Sequence, residues 1–450
     1  MYDLVINNGK IIDPIDGEYR ANIGVKNNKI KKITESKLNG KKVIDAESNM
    51  VSPGFIDIHM HEDDLKNGKI KFEIFNNMVQ MGVTTAVGGN CGLGHSDIGN
   101  YLDVLEKESP LLNYAGMIGH GSLREKAGCN DRYRKASQKE ISEMKNLLKK
   151  GLEDGAIGLS FGLEYTPGAT ITEMIELCKV VSNYSNRLVA AHYRFDANRS
   201  LEAIAEMIII ARETGVKFQI SHIGSCTAFG QMETALEMIE AANKAGIDIM
   251  ADVYPYDAFS TYVGSAVFDE GCFEKWGVDY NSIKVTEGKY KNQRCDKEIF
   301  EYIRENEPDD LVVAFVMDEK EVIKAMKHPL VMIASDGILN NGQGHPRAAG
   351  TFPRVLGKYV RERENLNLKK AIDKITRMPA ERAGLKNKGR IKEGYDADFC
   401  IFDYEKIIDK ANFNNPAKPP EGINEVIVNG NRVLNKNHLK EENSGKVLRY

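Results

Sequence analysis

Short apolar runs alternate with amphipathic segments through most of the chain, beginning near position 51. The runs have the length of buried strands, whereas the segments between them repeat apolar residues at helical spacing. We predict eight strands, at 55–59, 84–88, 114–118, 156–161, 188–191, 217–221, 248–253 and 331–334. We predict helices at 72–81, 138–152, 172–181, 201–214, 232–245 and 319–327.

Helices between successive strands imply parallel neighbours, because an antiparallel neighbour needs only a short turn. Eight such units fit a (β/α)8 barrel of the TIM type, and a doubly wound open sheet is the competing architecture. An open sheet collects its reactive residues at one crevice, whereas here polar residues follow nearly every strand. They are His59, His61, Cys91, His120, Tyr165, His192, His222, Tyr254 and Asp336. The pattern favours the barrel, whose active site is built at the strand ends.

Both ends of the chain have a different pattern. Segments 2–12, 21–33, 42–44, 389–391, 398–402 and 426–433 alternate like strands and are bounded by turn residues. We predict a small β-sandwich domain composed of residues 1–52 and 388–450, and a catalytic barrel over residues 53–387. Residues 264–308 interrupt the rhythm after the seventh strand, which predicts a lid or binding insertion.

The composition is that of an ordinary globular protein, with 450 residues, 42% hydrophobic and 28% charged. The charges nearly balance, at 61 Lys and Arg against 65 Asp and Glu, so a small-molecule partner is expected rather than nucleic acid. No apolar run is long enough to span a membrane, and the first residues lack a secretory signal, which predicts a cytoplasmic location. Seven cysteines without a Cys-x-x-Cys pair argue against a disulfide framework or zinc ribbon. The sequence leaves open whether the chain forms a homo-oligomer.

Two histidines at the end of the first predicted strand are candidate metal ligands. His59 and His61 are two positions apart, so on a strand both imidazoles point to the same face and converge on one ion. Such a pair alone is as often a packing or surface feature. Its position at a strand end, followed by the acidic residues 62–64, favours a metal site.

Other strand ends carry further ligand types. His192 and His222 are separated by about one βα unit, so adjacent strands deliver them side by side. Asp336 ends the eighth strand, beside the first when the barrel closes, and is a candidate ligand or proton shuttle, although Asp-Gly also caps turns. Cys91 lies in a glycine-rich loop, where a thiolate can bridge two metals or a small thiol can simply be buried.

Motifs along almost the whole chain resemble the amidohydrolase superfamily. They are the segments 3–6 (DLVI), 9–13 (GKIID), 53–61 (PGFIDIHMH) and 389–399 (GRIKEGYDADF). A second group is similar to the N-acyl-D-amino-acid deacylases, or D-aminoacylases. It comprises the segments 89–92 (GNCG), 119–124 (GHGSLR), 165–168 (YTPG), 345–347 (HPR) and 350–354 (GTFPR).

The resemblance implies a zinc enzyme and a ligand set. Cys91, His192 and His222 would hold the tightly bound zinc. His59 and His61 would serve a second, weaker position, with Asp336 a further candidate ligand. Residue type alone does not separate zinc from iron or manganese.

The resemblance also implies roles in catalysis and substrate binding. Asp336 would be the catalytic carboxylate, and Tyr165 would polarise the scissile carbonyl. Arg347 would pair with the substrate α-carboxylate, for which a bidentate guanidinium has suitable geometry. The alternatives are a loop aromatic that anchors Pro167 and, for Arg347, a surface ion pair.

One departure concerns the segment after the sixth strand. Many members of the family carry a lysine two residues beyond the histidine that corresponds to His222, and this chain has Gly224 there, so no relative's side-chain preference is transferred. Glu164 is expected to be a solvated loop residue. His120 is expected to support the site by hydrogen bonding rather than to bind metal.

We therefore expect a zinc-dependent hydrolase that cleaves N-acyl-D-amino acids to a carboxylate and a free D-amino acid, with Asp336 as general base and acid. One alternative is a cyclic-amide hydrolase of the dihydroorotase or hydantoinase type. Its carboxylated lysine after the fourth strand has no counterpart in residues 162–165. The other is a non-catalytic amidohydrolase-like binding protein, which need contain no stoichiometric zinc.

Overall fold

The computed structural model describes residues 1–436, 438–440 and 444–450. Its strands, in chain order, are β1 (Tyr2–Asp13), β2 (Gly17–Lys26), β3 (Lys29–Thr34), β4 (Gly40–Asp45), β5 (Met50–Pro53), β6 (Phe55–Asp57), β7 (Leu65–Lys66), β8 (Lys69–Ile70), β9 (Val83–Gly88), β10 (Asn113–Gly119), β11 (Gly158–Gly162), β12 (Leu188–His192), β13 (Lys217–Ile220), β14 (Ile249–Val253), β15 (Phe259–Tyr262), β16 (Ile283–Val285), β17 (Leu311–Ala314), β18 (Val331–Ile333), β19 (Leu339–Asn340), β20 (Gln343–Gly344), β21 (Phe399–Phe402), β22 (Ile423–Val428), β23 (Asn431–Asn435) and β24 (His438–Leu439).

The helices, in chain order, are α1 (Glu73–Gln80), α2 (Ile98–Glu108), α3 (His120–Lys126), α4 (Gln138–Glu153), α5 (Ile171–Ser182), α6 (Ser200–Thr214), α7 (Ile223–Thr227), α8 (Met232–Lys244), α9 (Cys272–Trp276), α10 (Lys297–Asn306), α11 (Glu319–Lys327), α12 (Arg347–Arg354), α13 (Leu368–Ile375) and α14 (Arg377–Arg382). All six predicted helices are present within a few residues. The pattern does not predict α2, because its first turn contains Gly99 and Asn100, which favour turns. Within the described residues, no helix is both long and apolar enough to cross a membrane.

Eight parallel strands form the barrel, in the order β6, β9, β10, β11, β12, β13, β14, β18. Between β18 and β6 the barrel is closed by backbone hydrogen bonds just beyond the strands. Asp336 N donates to His59 O at 2.7 Å, and His61 N donates to Gly337 O at 3.0 Å. The predicted (β/α)8 fold is confirmed, and this seam joins the two strand ends that carry the predicted His-x-His pair and the acid.

Strands from both ends of the chain form a second, nine-stranded sheet, in the order β24, β23, β22, β21, β5, β1, β2, β3, with β4 beside β1. The join between the two ends is the antiparallel pair of β5 and β21. The strand predicted at 389–391 is wrong, because Arg390 and the Ile391 amide instead bind the Asp13 carboxylate. The domain boundaries at residues 52 and 388 stay a prediction.

Residues 264–308 form a unit whose two ends meet, since Gly264 N donates to Pro308 O at 2.9 Å. It is joined to the barrel by an antiparallel sheet in the order β15, β17, β16, of which only β16 lies within residues 264–308 and the other two strands flank them. Aromatic side chains pack above this sheet, with the Trp276 ring 5.8 Å from Phe268 and 6.2 Å from Phe273. The unit therefore has an apolar core, and helix α9 is fixed by it.

Candidate metal centre and active site

The predicted ligands are delivered by the carboxyl ends of five barrel strands. Those strands are β6, β9, β12, β13 and β18, and the side chains are His59, His61, Cys91, His192, His222 and Asp336. Cys91, His222 and Asp336 have φ values of 54°, 33° and 50°. This left-handed region is costly for residues other than glycine, and such conformations cluster at functional sites. The backbone turns sharply here to bring the side chains together.

Cys91 lies at the centre of the cluster. Its Sγ is 3.3 Å from His59 Nε2 and 3.3 Å from His222 Nε2. Ligand atoms of Cys91, His192 and His222 lie within 4.8 Å of one another, and the same holds for His59, His61, Cys91 and Asp336. The thiol is shared by both groups, which is the arrangement expected if one sulfur bridges two metal positions.

The chemistry of these donors fits a transition metal. His192 Nδ1 is buried and has no hydrogen-bond partner among the described residues, while its Nε2 lies 2.9 Å from Glu164 Oε2. A neutral imidazole with its proton on Nε2 presents a free lone pair at Nδ1. One thiolate and two imidazoles are a normal catalytic zinc set, which leaves a coordination position open. The residues present therefore fit zinc.

Charge within the cluster favours the ligand forms of the acidic groups. Burial raises the pKa of the Cys91 thiol, but His222 and His59 lower it further, well below its ordinary value. Burial also raises the pKa of Asp336, and Arg347 and the neighbouring imidazoles hold it well below its usual range. Metal ligands must be deprotonated, and the lowered pKa values of both groups favour that form.

The pKa values of the imidazoles His61 and His222 are raised rather than lowered. Burial lowers the pKa of His61, but Asp336 and Cys91 raise it to about 9. Burial lowers the pKa of His222, and the same two anions raise it to about 9. The two anions Cys91 and Asp336 thus make the surroundings of these imidazoles negative, which also favours binding of a metal cation.

A layer of polar side chains orients the ligands from behind. Asp252 Oδ1 lies 3.1 Å from His59 Nδ1 and accepts the His222 backbone N–H at 2.7 Å. Ser225 Oγ lies 2.8 Å from His222 Nδ1. Hydrogen bonds of this kind set the tautomer of a metal-binding imidazole. Sequence reasoning missed Asp252, although a carboxylate inside a buried strand is a usable signal.

Arg347 lies in the same cavity as the cluster. Its Nη2 is 3.0 Å from Asp336 Oδ2 and donates to Ser260 O at 3.1 Å, and its guanidinium lies 4.7 Å from the Tyr254 ring. The side chain is buried, so the alternative of a surface ion pair is wrong. Its Nε and Nη1 are buried without a hydrogen-bond partner anywhere in the described part of the chain. Unpartnered guanidinium donors are costly, so they point to an anionic ligand.

Tyr165 faces the cluster from the loop after β11. Thr261 Oγ1 donates to its hydroxyl oxygen at 3.2 Å, and its ring lies 4.6 Å from the His192 ring. Burial raises the pKa of Tyr165, so the phenol stays protonated and can donate a hydrogen bond. Phe259 and Val267 line the same cavity and give it an apolar wall.

Two expectations about nearby residues have different outcomes. Glu164 is not solvated: it is 8% exposed, and its carboxylate contacts His192 and Lys275 of the insertion. The expectation is wrong because the sequence does not reveal that Lys275 lies above this loop. His120 is buried and bonds Glu173 at 2.8 Å, so its hydrogen bond supports the barrel wall rather than a metal ligand.

The fold and this set of ligands define a class, the barrel hydrolases that work with a bound metal. The model of the Amidohydrolase family matches residues 50–433. The chain therefore belongs to the amidohydrolase family.

Two relatives from Alcaligenes xylosoxydans xylosoxydans extend over nearly the whole chain. An N-acyl-D-glutamate deacylase is 33% identical, covering 96% of this chain and 93% of that protein. A D-aminoacylase is 32% identical, covering 99% of this chain and 97% of that protein. An N-acyl-D-glutamate deacylase from Bordetella bronchiseptica, solved with zinc and a phosphonate mimic of the tetrahedral intermediate, is 30% identical with a TM-score of 0.89 over 100% of both chains.

Proposed function

We propose that the protein is a zinc-dependent hydrolase that cleaves the amide bond of N-acyl-D-amino acids. The observation that carries this proposal is one cavity lined by His192, His222, Asp336 and Arg347. Cys91 Sγ lies 3.3 Å from His222 Nε2, and two guanidinium donors of Arg347 have no partner among the described residues. The deacylases and D-aminoacylase to which the chain is similar act on substrates of the same class. The reaction belongs to the barrel, residues 53–387.

Cys91, His192 and His222 would hold the tight zinc. His59, His61 and Asp336, with Cys91 shared, would hold a second and weaker one. When bound, zinc supplies Lewis acidity and lowers the pKa of water to near neutrality.

Asp336 moves the proton in this scheme. Its low pKa makes it a carboxylate at neutral pH, so it accepts a proton from the attacking water. It then donates that proton to the leaving amine, because collapse of the adduct needs an acid where attack needed a base. Its contact with the Arg347 guanidinium holds the carboxylate beside the substrate.

Tyr165 and Arg347 bind the substrate at two points. The protonated Tyr165 phenol donates a hydrogen bond to the carbonyl oxygen as negative charge develops on it. The free donors of Arg347 bind the α-carboxylate. With both groups fixed, the two enantiomers direct their side chains to opposite sides, and only one side chain reaches the cavity lined by Phe259 and Val267.

We further propose a cytoplasmic enzyme whose partner is the small substrate. All seven cysteines are free and buried, as is usual in a reducing compartment. Light scattering after size-exclusion chromatography would test whether the chain forms a homo-oligomer.

The test is a substrate screen of the zinc-loaded protein with N-acetyl, N-formyl and N-succinyl D-amino acids, with the L-isomers as matched controls. We expect release of the free amino acid from D-isomers only. Equal rates on both isomers contradict the proposal. Turnover of hydantoins or dihydroorotate in place of linear amides favours the cyclic-amide alternative, and a protein without stoichiometric zinc favours a binding role.

A further inference from the structure

Lys275 extends from the insertion toward the metal cluster. It lies on α9, and its Nζ is 2.5 Å from Asp196 Oδ1 and 3.3 Å from Glu164 Oε1. Both carboxylates are nearly inaccessible to solvent, with exposures of 3% and 8%. One ammonium therefore compensates two buried anions that the barrel loops supply.

The second oxygen of Glu164 continues this chain of contacts to a zinc ligand. Glu164 Oε2 lies 2.9 Å from His192 Nε2. A neutral imidazole carries one proton, and a carboxylate acceptor at Nε2 holds the proton there. The lone pair at Nδ1, which is buried and has no hydrogen-bond partner in the described chain, is then left for a metal shared with Cys91 and His222, the other members of this ligand group.

Helix α9 keeps Lys275 in place through its neighbours. Trp276 Nε1 donates to Asp196 Oδ2 at 2.6 Å, so two adjacent residues of α9 bind one carboxylate. The Trp276 ring packs edge-on against Phe259, with 5.5 Å between centroids. A helix as short as Cys272–Trp276 does not persist in water by itself, so these contacts fix its position.

From these contacts we propose that Lys275 is a positioning residue for zinc: it holds Glu164 against His192, and the docked insertion thereby strengthens the metal site. The inference rests on the zinc site of the proposed function. Glu164 lines the substrate cavity, but in this proposal it affects zinc only through its contact with His192. Lys275 and Glu164 both act through the imidazole of His192, whose tautomer and direction they set.

A competing interpretation is a further cation site at the same place. Ligand atoms of Glu164, His192 and Cys226 lie within 4.8 Å of one another. The Lys275 ammonium already stands beside the Glu164 carboxylate, where a second cation would be repelled. Lys275 therefore already neutralises the charge of Glu164, and the contacts run from Lys275 through Glu164 to His192 without a further cation.

The test measures zinc affinity by competition with a chromophoric chelator, and does not depend on turnover. We expect Lys275→Met and Glu164→Gln each to weaken zinc binding by about 10- to 100-fold, the usual cost of losing an outer hydrogen bond to a metal ligand. The double variant should lose little more than either single one, because both act on one imidazole. Lys275→Arg, which keeps the charge, should restore most of the affinity.

Arg304→Met is the matched control for a loosened insertion. Arg304 pairs with Asp269 within the insertion, 2.7 Å away, and does not touch Glu164. It should keep the zinc affinity of the unmodified protein. Cobalt-substituted protein adds a spectroscopic readout, in which Lys275→Met shifts the absorption bands and Arg304→Met does not.

Three results would overturn the inference: unchanged zinc affinity in Lys275→Met, an equal loss in Arg304→Met, or additive losses in the double variant. A zinc stoichiometry that rises in Lys275→Met would support the further cation site instead, and would also overturn the inference that Lys275 is a positioning residue. Failure of the deacylase proposal is seen separately, as a zinc-loaded protein without activity on N-acyl-D-amino acids.

Discussion

The Asp336 carboxylate and the Arg347 guanidinium form a buried ion pair, with 3.0 Å between Oδ2 and Nη2. The other carboxylate oxygen, Oδ1, lies 3.0 Å from His61 Nε2. The proposed proton carrier is therefore held between the proposed carboxylate-binding residue and the metal cluster. In the proposed mechanism, a substrate whose carboxylate binds Arg347 would have its amide beside Asp336.

Replacing Asp336 by Asn should remove proton transfer while preserving shape. We expect kcat to fall by about 100- to 10,000-fold, the range for loss of a general acid–base group. Zinc analysis should show that the tight zinc remains, since Asp336 is outside the group of Cys91, His192 and His222. Steady-state kinetics check the rate, and a kcat within threefold of the unmodified enzyme would refute the role.

Replacing Arg347 by Lys keeps the charge but removes the planar set of donors. We expect KM for an N-acetyl-D-amino acid to rise by about 10- to 100-fold, since a charge-assisted hydrogen bond contributes about 1.5–3 kcal/mol. The control substrate is an N-acetylated alkylamine that lacks the carboxylate, and its slow turnover should be unaffected. An equal loss on both substrates means that Arg347 does not read the carboxylate.

Replacing Cys91 by Ser should release the tight zinc, because a hydroxyl is a far poorer ligand than the thiolate that Cys91 forms. We expect zinc affinity to fall by more than about 100-fold, beyond the cost of an outer hydrogen bond. Zinc per chain after dialysis is the measurement. Cys178→Ser is the control, since Cys178 is also a buried free thiol but is outside the metal groups.

His120 should make stability depend on pH. Burial lowers its pKa, and Glu173 raises it only partly, so the folded pKa lies below the ordinary value of 6.5. Near pH 6.5 the His120 side chain therefore binds a proton in the unfolded chain but not in the folded protein. Its contribution to the free energy of unfolding declines as pH falls from above 6.5 to the folded pKa. In the metal-free protein His61 and His222 act in the opposite sense over this range, because their pKa values lie near 9. The His120 contribution is therefore measured as a difference: between about pH 7.5 and pH 5.5 the melting temperature of the unmodified protein should decline relative to that of His120→Gln. A difference that does not change with pH would contradict the prediction.

The barrel follows from the sequence because each of its strands is buried and reads as an apolar run with a helix after it. The clustering of the candidate metal ligands follows as well, because residues just after parallel strands must share one end of the barrel. The role of Glu164 does not follow, since its burial depends on Lys275, 111 residues further along the chain. The pattern of neighbouring residues around Glu164 cannot predict this contact, because the contact forms only when the insertion packs against the barrel. The strand expected at 389–391 is absent for the same reason, because the Ile391 N–H donates a hydrogen bond to the carboxylate of Asp13, which is distant in the sequence.

The pairing of β5 with β21 has a consequence for synthesis on the ribosome. Strand β5 emerges before the barrel and β21 after it, so one edge of the terminal sheet stays uncovered while the whole barrel is translated. An uncovered edge is a template for wrong pairing. The last barrel strand, β18, is made earlier than β21, so the catalytic layer can close while its neighbour still waits for a partner. Nascent chains arrested between these two strands are thus the stage most exposed to aggregation.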